Sequence, residues 1–106
     1  AGIPVILLTP NMMNTYVHPD TIPMYRAYAA VTADYQNSGR MDAYVDAARA
    51  LAAERDIPVA DTYRRWKSLA AAGEDTTACL ANYINHPTRP MHRLFAEALL
   101  EVLETV

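Results

Sequence analysis

The 106-residue sequence is poor in the residues that signal common functions. A single cysteine, Cys79, excludes an intrachain disulfide and leaves the redox compartment open. There are two serines, Ser38 and Ser68, which fall in a turn and on a helical pattern rather than at a strand-to-helix elbow that would expose a nucleophile. Charge of neither sign dominates: 9 Lys and Arg stand against 12 Asp and Glu, interspersed, for a net charge of -3. Such a balance offers no electrostatic footprint for nucleic acid or an anionic membrane. No apolar run approaches the roughly 20 residues of a membrane span, and the start lacks the basic flank and cleavage site of a signal peptide. His86 and His92 are six apart, which is not the one-turn spacing that puts two imidazoles on one helical face, so neither metal nor cofactor is expected. No repeat or low-complexity linker divides the chain.

Apolar residues are plentiful, at 52%, which excludes a disordered tail and fits one small domain. Much of that fraction is alanine, which favours helix but buries little area. The core must therefore rest on Ile, Leu, Val, Met and Tyr. The opening AGIPVILLTP carries a continuous apolar run from Ile3 to Leu8, ended by Thr9 and Pro10. It predicts a strand buried on both faces, as in a parallel sheet with helices on each side. A second short strand is predicted at Ile57 to Asp61. Two parallel strands cannot satisfy their outer edges, so the sequence reads as beginning within a domain, with stable folding expected only once the sheet is completed. A complete small α/β domain with a two-stranded sheet is the alternative.

Between the strands, NMMNTYVHPD reads as a loop in which Pro19 biases His18 toward an extended conformation. TIPMYRAYAAVTADY predicts a helix capped by Asp20 or Thr21, with Met24, Ala27, Tyr28, Val31 and Tyr35 on one face. MDAYVDAARALAAERD predicts a second helix with Tyr44, Val45, Ala48, Leu51 and Ala52 on one stripe. TYRRWKSLAAAG predicts a third, capped by Asp61 and stopped by Gly73. The alternation of strand and helix is the unit of a parallel α/β sheet with right-handed crossovers. In the last helix Met91, Leu94, Phe95, Ala98, Leu99, Val102 and Leu103 recur at three- and four-residue steps. Thr88 is its expected cap, which puts His86 just outside the helix on a stretch stiffened by Pro87. A general base needs such a rigid, exposed position, although a histidine before a proline is also a common turn residue.

The run INHPTRPMHRLFAEALL resembles the last block of the SGNH hydrolases, the GDSL-type esterases and lipases, in which a His-Pro precedes a short loop and a helix. PVILLTP, YVDAARALAAERD and IPVADTY resemble the preceding part of that family in the same order, so the resemblance covers nearly the whole chain. It implies an α/β fold, the C-terminal part of a three-layer flavodoxin-like parallel sheet, with residues 1–106 as the C-terminal segment of a single hydrolase domain. It implies that His86 is the general base of a serine esterase or lipase acting on carboxylic esters. The family's aspartate, three residues before the histidine, is replaced by Tyr83, which is neutral at working pH. Asn82, Tyr83 and Asn85 are the candidates to orient the imidazole, and Asp61 or Asp75 would serve only if the fold brought it near.

The family's Gly-Asp-Ser nucleophile block, its oxyanion glycine and its Gly-x-Asn-Asp block have no counterpart here. Hydrolysis thus requires an N-terminal portion of the same hydrolase, and the sheet requires that portion or another copy of the chain. The substrate expected is a small ester, an acylated sugar being one candidate, with Tyr16, Tyr25, Tyr28 and Tyr35 either lining its cleft or burying helix faces. The competing reading is a non-catalytic α/β binding or assembly module that keeps the end of the fold without its chemistry.

Overall fold

The computed structural model describes residues 2–105. Two parallel strands, β1 (Leu7–Leu8) and β2 (Val59–Ala60), pair in the register Leu7 to Val59 and Leu8 to Ala60. Around them pack four α-helices: α1 (Arg26–Asn37), α2 (Arg40–Glu54), α3 (Thr62–Ala71) and α4 (Arg93–Leu103). Short 3-10 turns precede α1 and α4, at Pro23–Tyr25 and Arg89–His92, and a third spans Thr77–Cys79. No helix among the described residues is long and apolar enough to cross a membrane.

This architecture corrects the expected three-layer flavodoxin-like sheet. The described residues are mainly helical, and the sheet has two strands of two residues each. The ladder is short because its flanks cannot extend it. Leu7 N–H donates to the Pro58 carbonyl at 2.9 Å and Thr9 N–H to that of Ala60 at 3.1 Å, but Pro4, Pro10 and Pro58 have no N–H to give. Asp61 then turns the chain into α3. With one neighbour only, the apolar run is not buried on both faces: Ile3 is 85% exposed and Val5 59%.

α1 starts at Arg26, behind the Pro23–Tyr25 turn and without the expected side-chain cap from Asp20 or Thr21, and its apolar face turns outward. Ala29, Thr32, Ala33 and Gln36 are buried, while Met24, Tyr28 and Val31 face outward. Polar demand decides the rotation. The loop at 11–15 has no ladder of its own, so its buried groups must find partners on the helix. Asn14 Nδ2 donates to the Ala29 carbonyl at 2.8 Å, the Thr32 hydroxyl to Asn14 Oδ1 at 2.5 Å, and Met13 N–H to Gln36 Oε1 at 2.9 Å. Gln36 Nε2 in turn donates to the Tyr63 hydroxyl at 2.7 Å.

α2 buries Met41, Val45 and Ala52, and leaves Tyr44 and Leu51 exposed, so only part of its expected stripe reaches the core. α3 behaves as predicted at both ends. The Asp61 carboxylate accepts from Arg64 N–H, and Gly73 at φ 94° provides the left-handed residue that stops the helix. α4 buries Leu94 and Ala98. Thr88 is extended before the Arg89–His92 turn and makes no side-chain cap. The core gathers Met12, Met41, Val45, Tyr63, Trp66, Leu80 and Leu94.

Candidate functional site

His86 lies at the base of a hairpin-like loop. Leu80 and Pro87 form an antiparallel bridge, Ala81 N–H donates to the His86 carbonyl at 2.6 Å, and Thr88 N–H donates to that of Cys79 at 2.9 Å. Leu80 is buried in the core, which anchors one arm. Pro87 stiffens the other.

The tip of this loop is organised by Asn82. Its Oδ1 accepts from the backbone N–H groups of Ile84, Asn85 and His86, each at 3.0 Å. An Asx side chain that collects successive amides in this way fixes a tight reversal without secondary structure. Because those amides fix which end of the Asn82 side chain is oxygen, Nδ2 is the atom that points onward, and it donates to Asn85 Oδ1 at 2.9 Å.

That assignment bears on the histidine tautomer. His86 Nδ1 lies 2.5 Å from Asn85 Oδ1 and 3.1 Å from Asn82 Nδ2. An Asn85 amide turned to present its own NH2 would set two donors against each other, so the oxygen stays, and the shorter contact, to Asn85 Oδ1, favours a proton on Nδ1 over the longer one, in which Nδ1 would accept from Asn82 Nδ2. In the neutral ring Nε2 is then left with a free lone pair. His86 is exposed, so this lone pair is open to an incoming group.

Of the orienting candidates, Asn82 and Asn85 are therefore brought onto the ring, and Tyr83 is not. Tyr83 stands in the left-handed region at φ 59°, and its ring stacks on His18, with centroids 3.9 Å apart and planes within 8° of parallel. The carboxylates stay away as well. Asp61 accepts from Arg49 and Thr9, and Asp75 accepts from the Tyr16 hydroxyl at 2.7 Å and from Ala78 N–H at 3.2 Å. The hydrogen bond to Asp75 holds the Tyr16 hydroxyl above its ordinary pKa.

His92 is exposed, and its ring lies 6.0 Å from that of Phe95. Ser38 Oγ is tied to the Tyr35 carbonyl and to Arg40, as suits a turn residue. Beside the loop tip, a pocket of about 400 Å³ is lined by Tyr25, Tyr28, Asn82, Ile84 and Asn85. Tyr16 and Tyr35 lie outside it. No group of three metal-ligating side chains gathers among the described residues.

The loop is held from below by the segment after β1. Asn11 Nδ2 donates to the Asn85 carbonyl at 3.0 Å, and Asn14 N–H donates to that of Ile84 at 2.9 Å. The stack of His18 on Tyr83 is a third point of support, which no sequence pattern announced. Comparison of the chain with family models, with curated proteins and with solved structures finds no match.

Proposed function

We propose that this chain is the histidine-bearing segment of a serine ester hydrolase, with His86 as general base. The observation that carries the reading is the relay from Asn82 through Asn85 to His86, which leaves Nε2 as the acceptor. A base that is to take a proton from a serine hydroxyl needs that tautomer and an orienting partner on Nδ1. Here the partner is a neutral amide, so the site works as a Ser-His dyad.

In the proposed reaction the serine Oγ attacks the ester carbonyl while its proton passes to His86 Nε2. The imidazolium is stabilised by Asn85 Oδ1 and returns the proton to the leaving alkoxide, which departs as alcohol. Water then enters by the same route: its proton goes to Nε2, its oxygen bonds to the acyl carbon, and the serine leaves with the proton restored. The serine and the oxyanion donors come from a partner polypeptide, the N-terminal portion of the same hydrolase, which also adds to the sheet beside β1. A small ester fits the pocket between Tyr25, Tyr28 and the loop tip, with an acylated sugar as one candidate because aromatic faces and amides suit it.

A serine-directed fluorophosphonate probe applied to the protein as isolated from its source tests this reading. Labelling is expected on a co-purifying polypeptide, with none on Ser38 or Ser68. An intact preparation in which nothing is labelled would favour a non-catalytic binding module.

A further inference from the structure

The left-handed backbone of Tyr83 raises a question that the general-base reading does not answer. A tight reversal needs one residue with positive φ, and glycine or asparagine supplies it with least strain. This loop uses a tyrosine at φ 59°. Residues held in such conformations persist only when the surroundings over-determine them, and they collect at functional sites.

What over-determines Tyr83 is visible on one side of its ring. His18 lies flat against it at 3.9 Å between centroids. The imidazole is itself fixed, because Nδ1 accepts Asp20 N–H at 3.0 Å and the His18 carbonyl accepts Thr21 N–H at 3.0 Å, with Thr21 buried. Pro19 restricts the backbone of His18 further. The Tyr16 ring lies 6.0 Å from that of His18, with its hydroxyl bonded to Asp75.

The other two supports of the loop act on the carbonyls of Ile84 and Asn85. Tyr83 N–H donates to the Leu80 carbonyl at 3.1 Å, and the stack is what engages its side chain. If residue 83 relaxed to negative φ, the path from Asn82 to His86 would open, and the three amides on Asn82 Oδ1 could not all be kept. With them would go the orientation of the Asn82 amide that bears on the His86 tautomer.

We infer that His18 and Tyr83 form a positioning clamp, in which the stacked rings hold the loop residue left-handed and so keep His86 in its Nδ1–H form with Nε2 free. The role given to His86 rests on the general-base reading, but the clamp has a readout of its own. The two histidines are held in opposite tautomers: His18, whose Nδ1 is an acceptor, carries its proton on Nε2, and His86 carries its proton on Nδ1.

The experiment is side-chain nitrogen NMR on the chain labelled with ¹⁵N-histidine, in whatever assembly it purifies, at alkaline pH where free imidazoles are neutral. The native protein is expected to show one Nε2–H and one Nδ1–H histidine, with the third unrestrained. Tyr83→Phe keeps both signals. His18→Leu and Tyr83→Leu turn His86 into a mixture of tautomers. In the completed enzyme the same two substitutions lower kcat by about one to two orders of magnitude with KM little changed, as expected for a displaced base.

Tyr83→Gly separates positioning from bulk stability, since glycine needs no clamp to be left-handed. In that background His18→Leu leaves the His86 tautomer unaltered. If His18→Leu or Tyr83→Leu fails to fold, recovery of the fold and of the Nδ1–H signal in the Tyr83→Gly, His18→Leu double variant supports the clamp, and its absence overturns it. A folded His18→Leu protein with His86 still wholly Nδ1–H also overturns it. Failure of the hydrolase reading would show instead as native tautomers with no serine labelling anywhere.

Discussion

In the proposed mechanism His86 moves the proton and Asn85 only holds the ring, so the two roles can be separated experimentally. In the completed enzyme His86→Ala is expected to lower ester hydrolysis by several orders of magnitude without unfolding, since dyad members act together in the transition state. His92→Ala should change it little, because that ring is exposed and, among the described residues, meets no polar partner. Equal losses from the two in steady-state kinetics would mean that the wrong histidine carries the role. Asn85→Leu leaves Nδ1 without its acceptor and should lower kcat by about ten- to a hundredfold. Asn85→Asp puts a carboxylate where the amide now sits, and should hold or raise the rate. The serine-protease template values a correctly placed carboxylate at up to roughly four orders of magnitude, an upper limit here. The loop that carries the candidate site was legible in the sequence, though its orienting partners were not assigned. A histidine before Pro87 and ahead of a helix, with Asn82 and Asn85 close by, marks the loop because Asx side chains satisfy nearby amides. The turning away of Tyr83 was not legible. Its ring is captured by His18, a residue far off in sequence whose approach depends on how the segment after β1 crosses the loop.

At the level of elements, Asp61 joins three of them. It caps α3 through Arg64 N–H, accepts the Thr9 hydroxyl at the end of β1 at 3.0 Å, and receives a fork from Arg49 of α2 at 3.0 and 2.9 Å. Burial pushes its carboxyl upward, but the Arg49 guanidinium, the Thr9 hydroxyl and the Arg64 amide outweigh that and hold it below the ordinary value of 3.8. Asp42 is lowered as well, chiefly by the hydrogen bond from Tyr63, against the opposing effect of burial, with Lys67 adding to the shift. A carboxylate with a depressed folded pKa contributes stability that is present above the unfolded value and is lost as pH falls through the folded one. The chain should therefore keep its stability down to about pH 4 and lose it progressively below. Asp61→Ala should cost roughly 2–3 kcal/mol at neutral pH, from a lost cap and lost charged hydrogen bonds, and should flatten the acid limb. Urea unfolding with an unchanged m-value at several pH values checks both. The cap was legible because Asp before TYRRW is a helix-start signal. The inward face of α1 was not, because periodicity counts apolar residues, whereas this helix turned Thr32 and Gln36 inward to satisfy Asn14, Met13 and Tyr63. The sheet was over-read for a related reason: an apolar run shows that burial is favourable, not that its whole length pairs as a strand of a layered sheet, and here only Leu7 and Leu8 do so.

For the molecule as a whole, the surface is larger than the mass requires. The accessible area is 6759 Å², against about 5,900 Å² expected for a compact monomer of this mass. The radius of gyration is 15.0 Å, where about 13 Å is usual. The excess is not spread evenly. Leu7 and Thr9 turn their N–H groups to β2, so strand alternation points those of Ile6 and Leu8 to the opposite edge, where no other strand of the described residues lies. Next to that edge runs an apolar groove of about 620 Å³, with Leu8, Pro10, Tyr28, Val31 and Tyr44 among its walls. An unpaired edge beside an apolar groove is a template for pairing with another chain. The isolated 106-residue chain is therefore expected to associate as its concentration rises, with light scattering reporting a mass above 11.8 kDa. Val31→Glu and Tyr44→Glu, at positions 65% and 61% exposed, should reduce that association while leaving the unfolding midpoint of the core nearly unchanged. Adding the proposed N-terminal portion should replace self-association with a one-to-one complex and slow amide exchange at Ile6 and Leu8. A well-dispersed NMR spectrum from a strictly monomeric chain at high concentration would show that the edge and groove need no partner, and would remove the structural support for a hydrolase assembled from two parts.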